Sequence, residues 1–278
     1  MHGSLNRAGW RRAAPSLPLG LYLVCWFIGS LLVAFLVIPL IALVLSQAGA
    51  SLAEVARMAD VRDAIALSLE GAALSAAFAA LAGIPLAYAL ARTTFLGKPV
   101  VAALVDLPLA VPHTVAGIAL LMVFGRQGAL GAPLQSLVGL RFWGTLAGIV
   151  VAMLFVSAPY TVNAARVGFE AIDPRLEKIA RTLGLGPWRT FWRITLPLAR
   201  RSIMTGVTLT FARSISEFGA VVILVYYPMT APVKIYELFL RFGVEQAATA
   251  AVLLLAVSLA LFLLLRTLAG GAAPRENR

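Results

Sequence analysis

Apolar residues run in six long stretches along this chain, near 20–46, 65–91, 99–125, 143–166, 203–225 and 244–266, separated by segments holding charges, prolines and glycines. A run of about 18 to 25 apolar residues crosses a hydrocarbon core of roughly 30 Å as a helix. The pattern predicts an all-α membrane protein with six transmembrane helices. Between the runs the periodicity changes. Residues 51–63, SLAEVARMADVRD, alternate small apolar and charged positions and predict a short interfacial helix on the outer side. Residues 172–183 place Ile172, Leu176, Ile179 and Leu183 at helical spacing, with Asp173 as cap and Pro174 in the first turn. Gly184 to Gly186 stops this helix, since glycine tolerates the backbone of a helix C-terminus. Pro187 opens a second short helix with Trp188, Phe191 and Trp192 on one face, closed by the stretch Thr195 to Pro197.

Composition sharpens the class. The 278 residues are 61% hydrophobic and 13% charged, about half the charged fraction of a soluble domain, which argues against a water-soluble fold. An excess of 23 Lys and Arg over 12 Asp and Glu raises nucleic acid as a partner, but the cations do not gather into one patch. They sort by side. With the N-terminus in the cytoplasm, sixteen are internal: Arg7, Arg11, Arg12, Arg92, Lys98, Arg166, Arg175, Lys178, Arg181, Arg189, Arg193, Arg200, Arg201, Arg266, Arg275 and Arg278. Six are external (Arg57, Arg62, Arg126, Arg141, Lys234 and Arg241), and Arg213 falls within a span. This asymmetry follows the positive-inside rule, places both termini in the cytoplasm and leaves the lipid bilayer, not nucleic acid, as the surrounding partner. The expected organisation is a cytoplasmic segment 1–18, a single transmembrane domain 19–267 and a cytoplasmic, disordered tail 268–278. The first apolar run is too long for a signal peptide and reads as a retained span. Cys25, the single cysteine, excludes an intramolecular disulfide and a cysteine metal cluster. The loops 126–142 and 226–242 are plain connections or docking surfaces on the outside.

Polar groups inside spans cost roughly 2.5 to 3.5 kcal/mol when charged, so each needs an account. Arg213 and Glu217, at i and i+4, form a neutralised pair that locks span five, or Arg213 with Ser214 and Ser216 lines a path for anions. Glu70 reads as paired or water-exposed, and Asp106 sits near a water layer. Pro108 and Pro112 interrupt helical hydrogen bonding next to His113, which is a structural histidine or part of a moving bend. SAPY at 157–160 suggests a kink. No HExxH, GxSxG or glycine-rich nucleotide cradle occurs, and Gly97-Lys98 is followed by Pro99, so there is no Walker A loop. No catalytic, cofactor-binding or metal-binding residue is expected. Two other classes use the same polar groups: a membrane-embedded enzyme on Glu70, Asp106, His113 and Glu217, and a proton-coupled secondary transporter.

The cationic, aromatic segment 170–195 fits two settings on composition alone. It rests on anionic lipid, or it docks into a soluble partner through its aromatic and arginine side chains. The pattern A-x3-G-x9-I-x-L-P, made by Ala180, Gly184, Ile194, Leu196 and Pro197, resembles the EAA signature of ABC importer permeases. Lys178 and Ile179 stand where that signature has Glu and Ala, and Glu177 is the nearest carboxylate. LPLAVPHTVAGIALLMVFGRQGALG at 107–131 and FARSISEFGAVVILVYYPMTAPVKIYELF at 211–239 resemble the tungstate/molybdate permeases within that family, and sulfate and thiosulfate permeases share much of the framework. The resemblance runs from about 60 to 266. It implies a type I importer permease fold and a homodimer around a central path for oxyanions. It also implies two copies of a separate ATPase below, and an extracytoplasmic oxyanion-binding protein that sets most of the selectivity. Carried over to this chain, it makes Ala180, Gly184, Pro187, Trp188, Phe191, Ile194, Leu196 and Pro197 the ATPase-coupling residues. Arg213, Ser214, Ser216, Glu217, Pro112 and His113 are the candidates for pore or gate.

Overall fold

The computed structural model describes residues 18–47 and 49–270. The N-terminal segment with Arg7, Arg11 and Arg12, and the tail with Arg275 and Arg278, lie outside the described residues. The chain divides into two units, Met1–Ala48 and Gly49–Arg278. In the first, α1 (Leu19–Leu45) is a single helix with apolar side chains such as Trp26, Phe27, Phe35 and Leu36 exposed around its circumference. A helix apolar on all sides suits lipid.

The second unit begins with α2 (Gly49–Arg57) and α3 (Ala59–Arg92). The interfacial helix expected at 51–63 is therefore divided: extended backbone at Met58 ends α2, and Asp60 accepts the Val61 N–H at 3.0 Å to start α3. Then follow α4 (Lys98–Ala110), α5 (His113–Phe124), α6 (Gly131–Val138), α7 (Leu146–Glu170), α8 (Pro174–Thr182) and α9 (Pro187–Thr190). The last elements are α10 (Leu196–Ile215), α11 (Gly219–Leu224), α12 (Ala231–Phe242) and α13 (Val244–Gly270). Thus the expected loops 126–142 and 226–242 each hold a helix. No strand occurs among the described residues. Pro159 sits inside α7 without ending it, so SAPY does not break the helix.

Among the described residues, four helices are long and apolar enough to cross a membrane: Gly20–Leu45, Ala59–Arg92, Leu146–Glu170 and Val244–Leu264. The runs expected as single spans at 99–125 and 203–225 are both interrupted. α4 and α5 meet at a bend of 112°. Val111, held extended by the proline that follows, ends α4, and the Pro112 carbonyl accepts the Ala116 N–H at 3.0 Å to begin α5. The second interruption has a different cause. The Ser216 hydroxyl donates to the Arg213 carbonyl at 3.0 Å, and the Glu217 N–H bonds the Ser214 carbonyl instead, tightening the turn that ends α10. The Glu217 carboxylate then accepts the Ala220 N–H at 3.0 Å and starts α11.

α7 is the hub. It lies against α3 at glycines, where a Cβ on Gly71 would stand 3.0 Å from Ile149 and one on Gly83 3.0 Å from Val162, the small residues that let membrane helices approach. Hydroxyls join the helices where backbones are close: Ser75 Oγ donates to the Val150 carbonyl at 3.0 Å, and Thr161 and Thr210 share a hydrogen bond of 2.7 Å. The short halves α5 and α11 pack against each other without room for a side chain. A Cβ on Gly117 would stand 2.9 Å from Ile223 Cβ and 3.0 Å from Ala220 Cα, and one on Gly219 would stand 2.7 Å from His113 Cβ. Next to them, Ile149, Met153, Val156, Ile215, Val221 and Val233 form the main core.

α12 is tied to the start of α3 by charge. Lys234 Nζ lies 2.7 Å from Asp60 and 2.6 Å from Glu237, whose other oxygen lies 2.7 Å from Arg241. Hydrogen bonds from Lys234 first and Arg241 second hold the Glu237 carboxyl below its ordinary 4.5. A depressed carboxyl stabilises the fold above its unfolded value and loses that contribution as pH falls through the folded value. Glu237→Gln is predicted to lower the thermal midpoint of the detergent-solubilised protein at neutral pH. The gap to the parent should close below about 4.5, the ordinary value of the group; a gap that ignores pH in melts at stepped pH would contradict the network. Gly117→Ala is predicted to cost about 1–3 kcal/mol through overpacking of α5 on α11. An unchanged melting temperature would show that the two half-helices do not meet this closely.

Candidate functional site

Two sites emerge from the residues singled out in the sequence. The first is the cationic segment after α7. Asp173 accepts the Arg175 N–H at 2.8 Å and Pro174 occupies the first turn of α8. At the other end Gly184 takes φ +87°, its N–H bonds the Arg181 carbonyl at 3.0 Å, and the Leu185 N–H bonds the Ala180 carbonyl at 3.1 Å. This doubly bonded C-terminus needs a residue free to adopt the left-handed backbone. No atom would obstruct a Cβ there, so the requirement for glycine is conformational and not spatial.

On α8 the apolar residues at helical spacing do not mark the buried face. Leu176, Ile179 and Leu183 point outward, and the buried positions are Glu177 and Ala180, next to Ile172. Arg92, at the end of α3, is the cause. Its Nε donates to Glu177 Oε1 at 2.9 Å and its Nη2 to the Ile172 carbonyl at 3.1 Å. Thr195 Oγ1 donates to the same carboxylate at 3.0 Å, and the Tyr88 hydroxyl reaches its other oxygen at 3.4 Å. Glu177 is thus an internal residue of this chain and not a carboxylate offered to a partner. Arg92 was visible in the sequence only as one of the internal cations.

Pro187 opens α9 as expected, but the stretch Thr195 to Pro197 does not close it. Phe191–Thr195 form a π turn in which the Leu196 N–H reaches back five residues to the Phe191 carbonyl, and the helix continues into α10. A π turn accommodates one extra residue. It lets the chain carry Pro197, which has no N–H to give, near the start of α10 without a break. The aromatic residues form a chain of contacts: Trp188 with Trp192 at 5.8 Å between ring centres, Trp192 with Phe191 at 5.6 Å, Phe191 with Tyr88 at 4.9 Å and Tyr88 with Phe169 at 5.3 Å. Trp188 is 73% exposed, Trp192 is exposed, and Phe191 is half-buried. Together with Leu81, Ile84 and Tyr88 they border a groove of about 780 Å³. Ile194 and Leu196 are half-buried and Pro197 is exposed.

The second site lies where the two broken runs meet. His113, the first residue of α5 after Pro112, sits with Nδ1 3.0 Å from Glu217 Oε2. Arg213 Nη2 lies 2.8 Å from the same oxygen and 3.0 Å from both ring nitrogens of His113. Arg213 Nη1 donates to Ser216 Oγ at 3.2 Å. The Glu217 side chain is 1% exposed, whereas those of Arg213 and His113 are 26% and 42% exposed. A buried carboxylate is therefore covered by a cation and an imidazole that keep an open side. Pro112, His113, Arg213, Ser216 and Glu217 come together here. Ser214 does not join them; it is buried in the α7 contact, 2.8 Å from Ser157 Oγ. Asp106 is likewise apart, accepting from Asn163 Nδ2 at 2.6 Å, and Glu70 is exposed. The partner Asn163 carried no signal in the sequence.

Residues 80–273 match the family described as binding-protein-dependent transport system inner membrane component. The chain is 44% identical over 245 residues to the molybdate/tungstate transport system permease protein of Thermococcus kodakarensis, covering 87% of this chain and 94% of that one. It is 39% identical over 206 residues to the molybdenum transport system permease protein of Escherichia coli K12, covering 73% and 90%. Its fold is similar to that of a bacterial ABC transporter involved in alginate import, with a TM-score of 0.73 at 18% identity over 91% of this chain and 96% of that one. With several membrane-length apolar helices, two interrupted runs that meet at a polar cluster, and a family match over most of its length, this chain belongs to the binding-protein-dependent inner membrane components of ABC importers, as a multi-pass permease subunit of the cell membrane.

Proposed function

We propose that this chain lines the translocation path for tungstate or molybdate and couples it to a separate ATPase. In this reading two copies assemble around a central path, two ATPase subunits sit on the cytoplasmic side and an oxyanion-binding protein delivers substrate from outside. The two interrupted runs each count as one crossing, giving six, and the distribution of Lys and Arg puts both termini in the cytoplasm. Segment 1–18 and tail 268–278 are then cytoplasmic, flanking one membrane domain 19–267 with its coupling segment at 170–195. The substrate class rests on the names of relatives that cover most of this chain.

The observation that carries coupling is the outward row Leu176, Ile179 and Leu183 beside the exposed Trp188 and Trp192, on a helix whose other face is already filled. Apolar and aromatic surface of this kind is what protein interfaces bury. ATP is hydrolysed by the partner, since this chain has no phosphate-binding loop. At the path, Arg213 offers the passing oxyanion a positive charge that Glu217 has largely offset, and His113 adds a ring nitrogen. Such a weak site suits conduction, because a tight one would hold the ion.

Gly184→Val combined with Trp188→Ala is predicted to leave the permease in the membrane but to abolish uptake and co-purification of the ATPase; uptake at the parental rate would sink the coupling assignment. Arg213→Ala is predicted to change oxyanion flux about tenfold at equal membrane abundance, equivalent to roughly 1.4 kcal/mol. Unchanged flux with a lowered melting temperature would instead leave the Arg213–Glu217 pair a structural lock.

A further inference from the structure

We propose that the Arg92–Glu177 pair is the strut through which movement of α8 reaches the membrane helices, with Glu177 a positioning residue for coupling and not an ATPase contact. The proposal rests on the coupling reading above and adds the route inside the permease. α8 has nine residues, too few to hold a helix or an orientation by itself. A turn precedes it at Ala171–Asp173 and the left-handed Gly184 follows it, so its chain connections are both places where direction is easily lost. Its orientation must come from its inner face, which holds the small side chain of Ala180 and the carboxylate of Glu177.

That carboxylate is bonded in several directions. Arg92 binds it through Nε while its Nη2 holds the Ile172 carbonyl just past α7, so one planar guanidinium fixes the end of α3, the end of α7 and α8 together. Thr195 adds the π turn that leads into α10. Both partners are largely withdrawn from water, with side-chain exposures of 12% for Arg92 and 8% for Glu177. Separating them would leave a buried charge without its partner, which is strongly unfavourable, so the four elements shift as one body. Pressure on the outward Leu176, Ile179 and Leu183 is then delivered to α3 and α10 and not absorbed at the Gly184 turn.

The departure from the EAA signature fits this role. Adjacent helical residues differ by about 100° around the axis. Position 178, where the signature has its Glu, is exposed Lys178 in this chain, and the carboxylate at 177 is turned inward. The group is in place to hold α8 from behind, not to meet an ATPase.

The test uses the full chain assembled with its ATPase and binding protein in liposomes, reading ATPase co-purification and the ATP hydrolysed per molybdate transported. Glu177→Gln is expected to retain the ATPase and its hydrolysis but to raise ATP consumed per molybdate about tenfold. Arg92→Lys, which keeps the charge but loses the planar fork that spans Glu177 and the Ile172 carbonyl, is expected to do the same to a smaller degree, and it carries the test if Glu177→Gln fails to insert. Simple loss of folded protein lowers transport and hydrolysis together and leaves their ratio unchanged. A parental ratio in both variants overturns the strut, as does loss of the ATPase from Glu177→Gln with retention in Arg92→Lys, which would make Glu177 a docking contact. If the parent chain itself fails to retain the ATPase, the coupling reading fails instead.

Discussion

In a bilayer every backbone N–H and C=O must find a partner inside the protein, because no water is there to take its place. This constraint organises the centre of the molecule. Two apolar runs are interrupted, and each interruption frees backbone groups that need partners. At the first, proline removes a donor and its own carbonyl starts the next helix. At the second, the Ser216 hydroxyl takes the Arg213 carbonyl and the Glu217 carboxylate takes the Ala220 N–H. Glu217 is thus buried first as a helix cap, and its charge then has to be met. Arg213 and His113 meet it, which brings α5 against α11 so closely that only glycine fits at Gly117 and Gly219. The polar cluster and the absence of side chains at the contact are two results of the same backbone requirement.

The segment after α7 applies a related rule with a different outcome. Glu177 is buried by an ion pair with a residue 85 positions away in sequence. That pairing decides which face of α8 looks outward, and the apolar side chains a soluble helix would hide, Leu176, Ile179 and Leu183, become exposed surface. The aromatic chain from Phe169 through Tyr88 and Phe191 to the tryptophans continues this surface from the interior to the outside. Core and exposed aromatic surface are therefore one continuous cluster.

What the sequence disclosed follows from which interactions are local. The long apolar runs, the Asp173 cap, the Gly184 stop and the bend at Pro112 are legible because each depends on residues a few positions apart. The interruption after Ile215 is not, since FARSISEFG contains no proline, and its cause is a competition among Ser216, Glu217 and neighbouring carbonyls. The facing of α8 is not legible either: apolar spacing names a face but not its direction, and Arg92 reverses the usual choice. Pro197 was a reasonable stop signal defeated by the π turn, for which composition gives no sign. Of the residues expected at the pore or gate, those at the two interruptions come together, and Ser214 is the exception because it lies on the helix face that packs against α7.

The π turn at Phe191–Thr195 also has a meaning for how such chains change length. A π turn is an α-helix carrying one residue too many, so deletion of a single residue there returns regular α geometry and leaves the helix unbroken. Phase is kept: the wide turn relates Phe191 to Leu196 as a regular turn relates i to i+4, so Trp188 and the turn that leads from α8 hold their orientation relative to Arg213 with or without the extra residue. The stretch therefore works as a slack turn between two surfaces on one helix. A change of one residue within it is absorbed where it occurs, so the face that carries Trp188 and the helix that carries Arg213 keep their mutual aim.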